Sequence, residues 1–149
     1  MNINLHDQPV TPELMDLLLL ADPDRNAVLG YITDSTILVC QAEGTFTAVA
    51  VLKRQGDIAE LKNIAVLPPY QGRGIAKALI TEVLQLATRS GARIVEVGTG
   101  NSSLSQLALY QKCGFRMHCI DTGYFDSYPE PIFETGIRCR DRVRLRVTL

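Results

Sequence analysis

The sequence lacks an excess of charge of either sign, with a formal net charge of -1. Because nucleic-acid-binding proteins carry a basic excess, we expect no nucleic-acid partner. No apolar run is longer than that of residues 17–21, which is far shorter than the ~20 residues that a membrane span needs. The first residues also lack the positively charged and apolar regions of a signal peptide. We therefore expect a cytoplasmic protein with no membrane partner.

Paired cysteine motifs are also absent. The four cysteines are Cys40, Cys113, Cys119 and Cys139, and none forms the C-x-x-C spacing that is typical of zinc and thioredoxin-like sites. We predict no metal site and, in a reducing compartment, no disulfide. An apolar share of 46% is enough to fill a core. Because no repeat or linker interrupts the chain, residues 1–149 are predicted to form one domain.

The apolar periodicity predicts a mixed α/β fold. Short turns separate three apolar segments, which indicates an antiparallel meander, and a long segment with one apolar face follows as a helix. Strict alternation with arginines at residues 142–149 predicts a terminal strand with one exposed face, which is also a candidate for pairing across a homodimer. The predicted strands are 2–5, 36–42, 46–53, 58–66, 94–97, 116–121 and 142–149. The predicted helices begin near residues 12, 24, 74 and 104.

The stretch from residue 66 to residue 76 carries the strongest chemical signal. A strand ends at Val66, Pro68 and Pro69 stop its ladder, and Gly72 and Gly74 precede a helix. A strand, a glycine turn and a helix N-terminus together direct several backbone N–H groups one way, and the helix dipole adds positive potential there. The pattern therefore predicts a cradle for a diphosphate.

Three other interpretations of this turn compete with the diphosphate cradle when only the spacing of its residues is considered. Residues 72–77 read G-R-G-I-A-K, which lacks the third glycine of a dinucleotide fingerprint, and the preceding meander differs from a Rossmann unit. A P-loop requires a G-K-[ST] end, which is absent. A plain turn with a helix cap also accounts for a lone pair of glycines.

A second segment, residues 109–115, decides between these interpretations when it is taken together with the turn. Gln71-x-x-Gly74-x-Ala76 resembles the R/Q-x-x-G-x-G/A motif of the GNAT superfamily of N-acetyltransferases. Residues 109–115 read L-Y-Q-K-C-G-F, which is similar to that family's L-Y-x-K-x-G-F signature. The resemblance extends from about residue 35 to the end. It implies a mixed, mainly antiparallel sheet of about seven strands with about four flanking helices, splayed between the fourth and fifth strands at the cofactor site.

The resemblance also implies acetyl-coenzyme A (acetyl-CoA) as the acetyl donor and a set of residues that bind it. Backbone groups of Ile64, Ala65 and Val66 would pair with the pantetheine arm. The pyrophosphate would be held by the backbone N–H groups of Gln71, Gly72, Arg73, Gly74, Ile75 and Ala76. Asn101 and Tyr110 would contact the pantetheine or frame the acetyl site. Relatives often carry an Asn and an Ala where this chain has Ser103 and Gln106, so Asn101 stands two residues early.

Amide formation from a thioester needs a base for the ammonium, a donor for the oxyanion and an acid for the thiolate. By resemblance, Tyr110 is the candidate acid and Glu60 the candidate base acting through water, with the Val66 N–H as the oxyanion donor. Simple packing of Tyr110 and a solvent-facing strand charge at Glu60 are the alternatives. Glu60 shares strand parity with Ile64 and Val66, and a kink nearby would change its facing.

Residues 124–134 contain four aromatic residues and three carboxylates. Aromatic faces and carboxylates suit an amine, so we predict an acceptor-binding loop that includes Tyr124, Phe125, Tyr128, Glu130 and Glu134. A hydrophobic cluster under a long connection is the alternative.

The predicted activity is transfer of acetyl from acetyl-CoA to a primary amine of a small cationic molecule. A protein N-terminal or lysine acetyltransferase and a non-catalytic CoA-binding module are the competing hypotheses.

Overall fold

The computed structural model describes residues 2–149, and its elements follow the predicted order. The helices of this part of the chain are α1 Pro12–Ala21, α2 Arg25–Ile32, α3 Ile75–Arg89 and α4 Leu104–Lys112. The strands are β1 Ile3–Leu5, β2 Thr36–Ala42, β3 Thr45–Gln55, β4 Ile58–Val66, β5 Ile94–Gly100, β6 Arg116–Asp121, β7 Ile132–Glu134, β8 Ile137–Cys139 and β9 Arg142–Thr148. A short 3-10 helix, Pro68–Tyr70, follows β4. Within residues 2–149, no helix is both long and apolar enough to cross a membrane.

Side-chain caps set the starts of the first two helices. The Thr11 hydroxyl accepts a hydrogen bond from the Leu14 N–H at 3.3 Å, and Pro12 occupies the first turn. The Asp24 carboxylate accepts from the Asn26 N–H at 3.1 Å and caps α2 in the same way. These contacts confirm the helix starts that the sequence predicts.

Seven strands form the main sheet, in the order β1-β2-β3-β4-β5-β9-β6. All neighbouring strands are antiparallel except β4 and β5, which run parallel. The β4–β5 pairing covers only Ile58 to Leu61 against Ile94 to Val97, although both strands continue further. The sheet is therefore splayed along the second half of β4, as the resemblance implies.

The terminal strand β9 lies inside the sheet, between β5 and β6, and pairs with both. Its two edges are therefore occupied, and the expectation that this strand pairs across a homodimer is wrong. The alternation instead separates two faces. Val143 and Leu145 are buried in the core, whereas Arg142 and Arg144 bind Asp121 on the other face.

Two hydrophobic cores flank the sheet. The larger one packs α3 against the sheet through one face of the helix, including Leu79, Ile80 and Val83. The smaller one packs α1 against the opposite face through Leu14 and Leu18. Because each core fixes one helix relative to β4, the N-terminus of α3 and the C-terminus of α1 both lie near the open part of the sheet.

The predicted loop at residues 124–134 contains an unpredicted strand. Strands β7 and β8 form a separate antiparallel hairpin, joined by Thr135 and Gly136. Both turn residues have positive φ, +53° and +76°, as a two-residue turn of the favoured kind requires. The prolines at positions 129 and 131 favour a loop, but the strand begins only after them.

Candidate functional site: two adjoining cavities at the splayed strands

A glycine turn links β4 to α3 at the open end of the sheet. Gly72 and Gly74 have φ values of +75° and +79°, which side chains rarely adopt. A Cβ atom placed on either glycine meets no heavy atom within 4 Å. The space above both glycines is therefore open, and backbone conformation rather than protein packing requires glycine there.

The turn presents unpaired backbone donors. Gln71 donates its N–H to the Pro68 carbonyl at 3.2 Å, but the amides of residues 72–77 have no acceptor within residues 2–149. Several of them belong to the first turn of α3, whose N–H groups have no partner inside the helix. These amides and the positive end of the helix dipole form an anion-binding cradle.

The two polar side chains of the motif shape the turn. The Gln71 side-chain amide donates to the Val66 carbonyl at 2.9 Å, which ties the turn back to the end of β4. The Arg73 guanidinium lies over the Tyr70 ring at 5.2 Å. Both side chains are exposed, and neither is needed to cover the amides. The cradle is therefore made by the backbone.

The free edge of β4 supplies further backbone groups. Leu67 donates to the Thr47 carbonyl at 2.9 Å, so this antiparallel pair is hydrogen bonded. Hydrogen-bonded and non-hydrogen-bonded pairs alternate along an antiparallel ladder, so the next hydrogen-bonded residue of β4 is Ala65. The backbone N–H and C=O groups of Ile64 and Val66 therefore point away from β3. Within residues 2–149, no strand pairs with that edge beyond Leu61. Only two of the three predicted residues therefore direct backbone groups into the gap.

The first cavity joins the gap in the sheet to the cradle and has a volume of about 500 Å³. Eight of the predicted cofactor residues line it: Ile64, Ala65, Val66, Gln71, Gly72, Gly74, Ile75 and Ala76. The remaining lining residues, which the sequence motifs do not mark as a set, are Leu20, Ala21, Tyr70, Lys77, Ser105, Gln106 and Leu109. Lys77 adds a positive charge close to the cradle. The α1 and α4 residues come from elements far apart in sequence, so only the fold brings them together.

A second cavity of about 530 Å³ adjoins the first, because Leu20 and Ala21 line both. Four of the five predicted acceptor residues line it, namely Tyr124, Phe125, Tyr128 and Glu134, but Glu130 does not. Phe125 packs edge-to-face against both tyrosines, with ring centroids 4.9 Å and 5.6 Å apart. Three of the four aromatic residues of this segment therefore form a wall of the second cavity, and Phe133 does not.

Glu60 lines the second cavity because of a bulge in β4. Leu61 pairs with Leu52 and Asn63 with Val51, so Lys62 is an extra residue in the ladder. The bulge reverses the alternation: Leu61 and Ile64 both belong to the α3-side core. Glu60 therefore faces the α1 side, and its carboxylate pairs with the Lys62 ammonium at 3.1 Å.

The other carboxylates of the second cavity are held by hydroxyl groups. Glu134 accepts from the Ser102 and Ser103 hydroxyls at 2.8 Å and 2.9 Å. Asp22, at the C-terminus of α1, accepts from the Tyr31 hydroxyl at 3.1 Å. Burial is the main cause that raises the pKa of Tyr31, so this phenol stays protonated and remains a donor. Sequence reasoning missed Asp22 and Tyr31 because no motif marks them.

Residues 8–115 match the acetyltransferase (GNAT) family model. The chain belongs to the GNAT acetyltransferase family. The uncharacterized N-acetyltransferase YvbK of Bacillus subtilis (strain 168) is 45% identical over 139 residues, which cover 92% of this chain and 90% of that protein. A Bacillus subtilis acetyltransferase solved in complex with CoA has a TM-score of 0.93 and 43% identity, covering 99% of this chain and 97% of that one. A GNAT family acetyltransferase from Elizabethkingia anophelis with acetyl-CoA bound has a TM-score of 0.93 and 39% identity, with the same coverage.

This GNAT protein is an acyltransferase, and acetyl-CoA is its acetyl donor. The first cavity fits that donor, since unpaired amides and open space above two glycines suit a diphosphate. The free edge of β4 suits an extended chain that carries amide groups. Residues 124–134 and β9 lie outside residues 8–115, so the aromatic residues and Arg142 of the second cavity are outside the part that matches the family model, whereas its residues from α1, α2, β4 and β5 are inside it.

Tyr110 does not line either cavity in this structure. Its side chain is 4% exposed and packs against Phe115, with ring centroids 5.9 Å apart. Burial is the main cause that raises the Tyr110 pKa, and the neighbouring Cys113 thiol raises it further. The phenol is therefore neutral near pH 7 and can donate a hydrogen bond.

Asn101 is engaged elsewhere. Its side-chain oxygen accepts from the Arg140 and Asp141 N–H groups at 2.8 Å and 3.0 Å, and its amide donates to the Arg138 carbonyl at 3.1 Å. It lines neither cavity. These contacts tie the end of β5 to the segment before β9, so the structure gives Asn101 a bracing role and does not bring it to the predicted pantetheine site.

Proposed function

We propose that this acetyltransferase transfers the acetyl group to the primary amine of a small molecule that binds in the second cavity. The observation that carries the proposal is a cavity of about 530 Å³ that shares two lining residues with the cofactor cavity. That volume is in the range of small-molecule sites. The aromatic rings suit the apolar part of an alkyl ammonium ion, and the Asp22 and Glu60 carboxylates suit its positive charge.

Glu60 is the proposed base. An alkyl ammonium has a pKa near ~10 and must lose a proton before its nitrogen attacks. Glu60 lines the cavity where the amine would bind, and a carboxylate can accept the proton directly or through one water. The adjacent Lys62 ammonium holds the carboxylate in place at 3.1 Å.

Val66 and Tyr110 are proposed to act on the thioester side. The Val66 N–H points into the gap and can donate to the thioester oxygen as negative charge develops there. As the amine nitrogen bonds to the acetyl carbon, the carbon–sulfur bond breaks, and the departing thiolate takes up a proton. The neutral Tyr110 phenol is the proposed donor, after a small shift of its ring towards the cavity.

The proposed compartment is the cytoplasm. All four cysteines are free thiols, and two of them, Cys40 and Cys139, are buried. Free thiols are usual in a reducing compartment, where disulfides are rare.

A panel of acceptors tests the proposed function. The protein would be incubated with acetyl-CoA and either small primary amines or peptides that offer a free N-terminus or a lysine, and released thiol would be measured. We expect saturable turnover for a subset of small amines, with kcat/KM at least tenfold above every peptide. Higher kcat/KM for peptides than for every small amine would contradict the proposal.

A further inference from the structure

The second cavity contains a guanidinium group with a fixed position. Arg142, the first residue of β9, lines the cavity and donates through Nε to the Asp121 carboxylate at 2.7 Å. Its guanidinium carbon lies 4.2 Å from the centroid of the Tyr124 ring. A carboxylate at one edge and an aromatic ring across one face leave the planar group little freedom.

Strand β5 makes room for this arginine. A Cβ atom added to Gly98 would lie 2.9 Å from Cδ of Arg142 and 3.3 Å from its Cγ. Contacts below 3.0 Å require a shift, so any larger residue at position 98 would displace the arginine side chain. A glycine at this strand position is otherwise unfavourable, because it weakens the strand.

The terminal nitrogens of Arg142 are not used by the protein. Within residues 2–149, the only hydrogen bond of the Arg142 side chain is the one from Nε, and neither Nη atom has an acceptor. The neighbouring Arg144 differs, because it donates to Asp121 through both Nε and Nη2, at 2.8 Å and 2.9 Å, and does not line the cavity. Two arginines therefore share one carboxylate, and only Arg142 presents free donors to the cavity.

We propose that Arg142 binds a carboxylate of the acceptor, and that the acceptor is an amino acid-like molecule with an amine, a carboxylate and an apolar side chain. This inference rests on the proposed function. A guanidinium with two free terminal amino groups matches a carboxylate with two parallel hydrogen bonds. Tyr124, Phe125 and Tyr128 provide the apolar surface. Asp22 directly follows Ala21, and Ala21 lines both cavities. An ammonium group bound near Asp22 would therefore lie at the side of the second cavity that adjoins the first cavity.

Matched acceptor pairs test the inference by turnover. Phenylalanine against phenethylamine and leucine against isoamylamine differ only in the carboxylate. In the wild-type protein, kcat/KM for the carboxylated member should exceed that for its partner by about tenfold or more. Arg142→Gln should reduce this ratio to about one, and Gly98→Ala should lower it by displacing the same guanidinium. Arg144→Gln is the matched control, because it disturbs the same Asp121 and should keep the ratio.

A binding measurement separates this inference from the proposed function. Calorimetry in the presence of CoA would compare N-acetylphenylalanine with N-acetylphenethylamine, which requires no turnover. We expect tighter binding of the carboxylated product by about tenfold, and loss of that difference in Arg142→Gln but not in Arg144→Gln. Equal binding or equal turnover within the pairs overturns the inference while small-amine turnover preserves the proposed function. Turnover of peptides alone overturns both.

Discussion

Tyr110 has a buried ring, and its hydroxyl has no hydrogen-bond partner within residues 2–149. The burial that raises its pKa also keeps the phenol neutral near pH 7. We propose that this hydroxyl donates a proton to the departing thiolate.

Replacing Tyr110 by Phe tests this role. Removing the proposed proton donor should lower kcat by on the order of 100-fold, because general acids contribute about that much. The midpoint of unfolding in urea should stay the same or rise slightly, since no hydrogen bond is lost. The affinity for CoA should change less than about twofold. A kcat within twofold of the wild-type value would remove the acid role.

Single residues also show which parts of the site sequence motifs can predict. The glycines of the turn could be placed from sequence, because positive φ and a ligand-facing backbone both demand them. Asn101 and Glu130 could not, since their surroundings depend on how β5, β9 and the acceptor segment pack. Arg142 reads in the sequence as one of three alternating strand arginines, and only its contacts distinguish it.

At the scale of elements, one carboxylate on β6, that of Asp121, forms ion pairs with Arg142 and Arg144 of β9. Hydrogen bonds from Arg144 and then Arg142 are the main causes that lower the Asp121 pKa to about 2. An unfolded aspartate has a pKa near ~3.9. Because the folded pKa is the lower one, the contribution of Asp121 to stability is complete above about pH 4 and is lost as the pH falls towards 2.

The variant Asp121→Asn tests this linkage, with urea unfolding measured between pH 2 and pH 6. The wild-type protein should be more stable than the variant near pH 6, and the gap should narrow as the pH falls from about 4 to about 2. Glu43→Gln, in an exposed turn, is a control that should show no such trend. A gap that is independent of pH would mean that the ion pairs with Arg142 and Arg144 do not stabilise the sheet.

Most elements could be predicted because their periodicity is local. The apolar face of α3 and the alternation in β9 appear directly in the sequence. The bulge at Lys62 could not be predicted, because it is a property of the register between β3 and β4. That bulge decides which cavity Glu60 faces, so the candidate base could be named from sequence but not placed.

At the scale of the whole molecule, the site lies where strands β4 and β5 separate. Parallel pairing of β4 with β5 stops at Leu61, and the gap leaves one strand edge and one helix N-terminus unpaired. The C-terminus of α1 then lies between the first cavity and the second cavity. The first cavity could be predicted from two motifs, whereas the second cavity depends on contacts among distant segments that carry no motif.

We propose that the backbone amides after Gln71 bind the diphosphate of acetyl-CoA. The most direct test is calorimetric titration of CoA into the wild-type protein and into Gly74→Glu, which fills and charges the cradle. Gly56→Glu is the matched control, because Gly56 also has positive φ and open space but lies at the other end of β4. We predict one saturable site in the wild-type protein and in Gly56→Glu, and loss of binding by at least 100-fold in Gly74→Glu. Equal affinity in all three proteins would contradict the account.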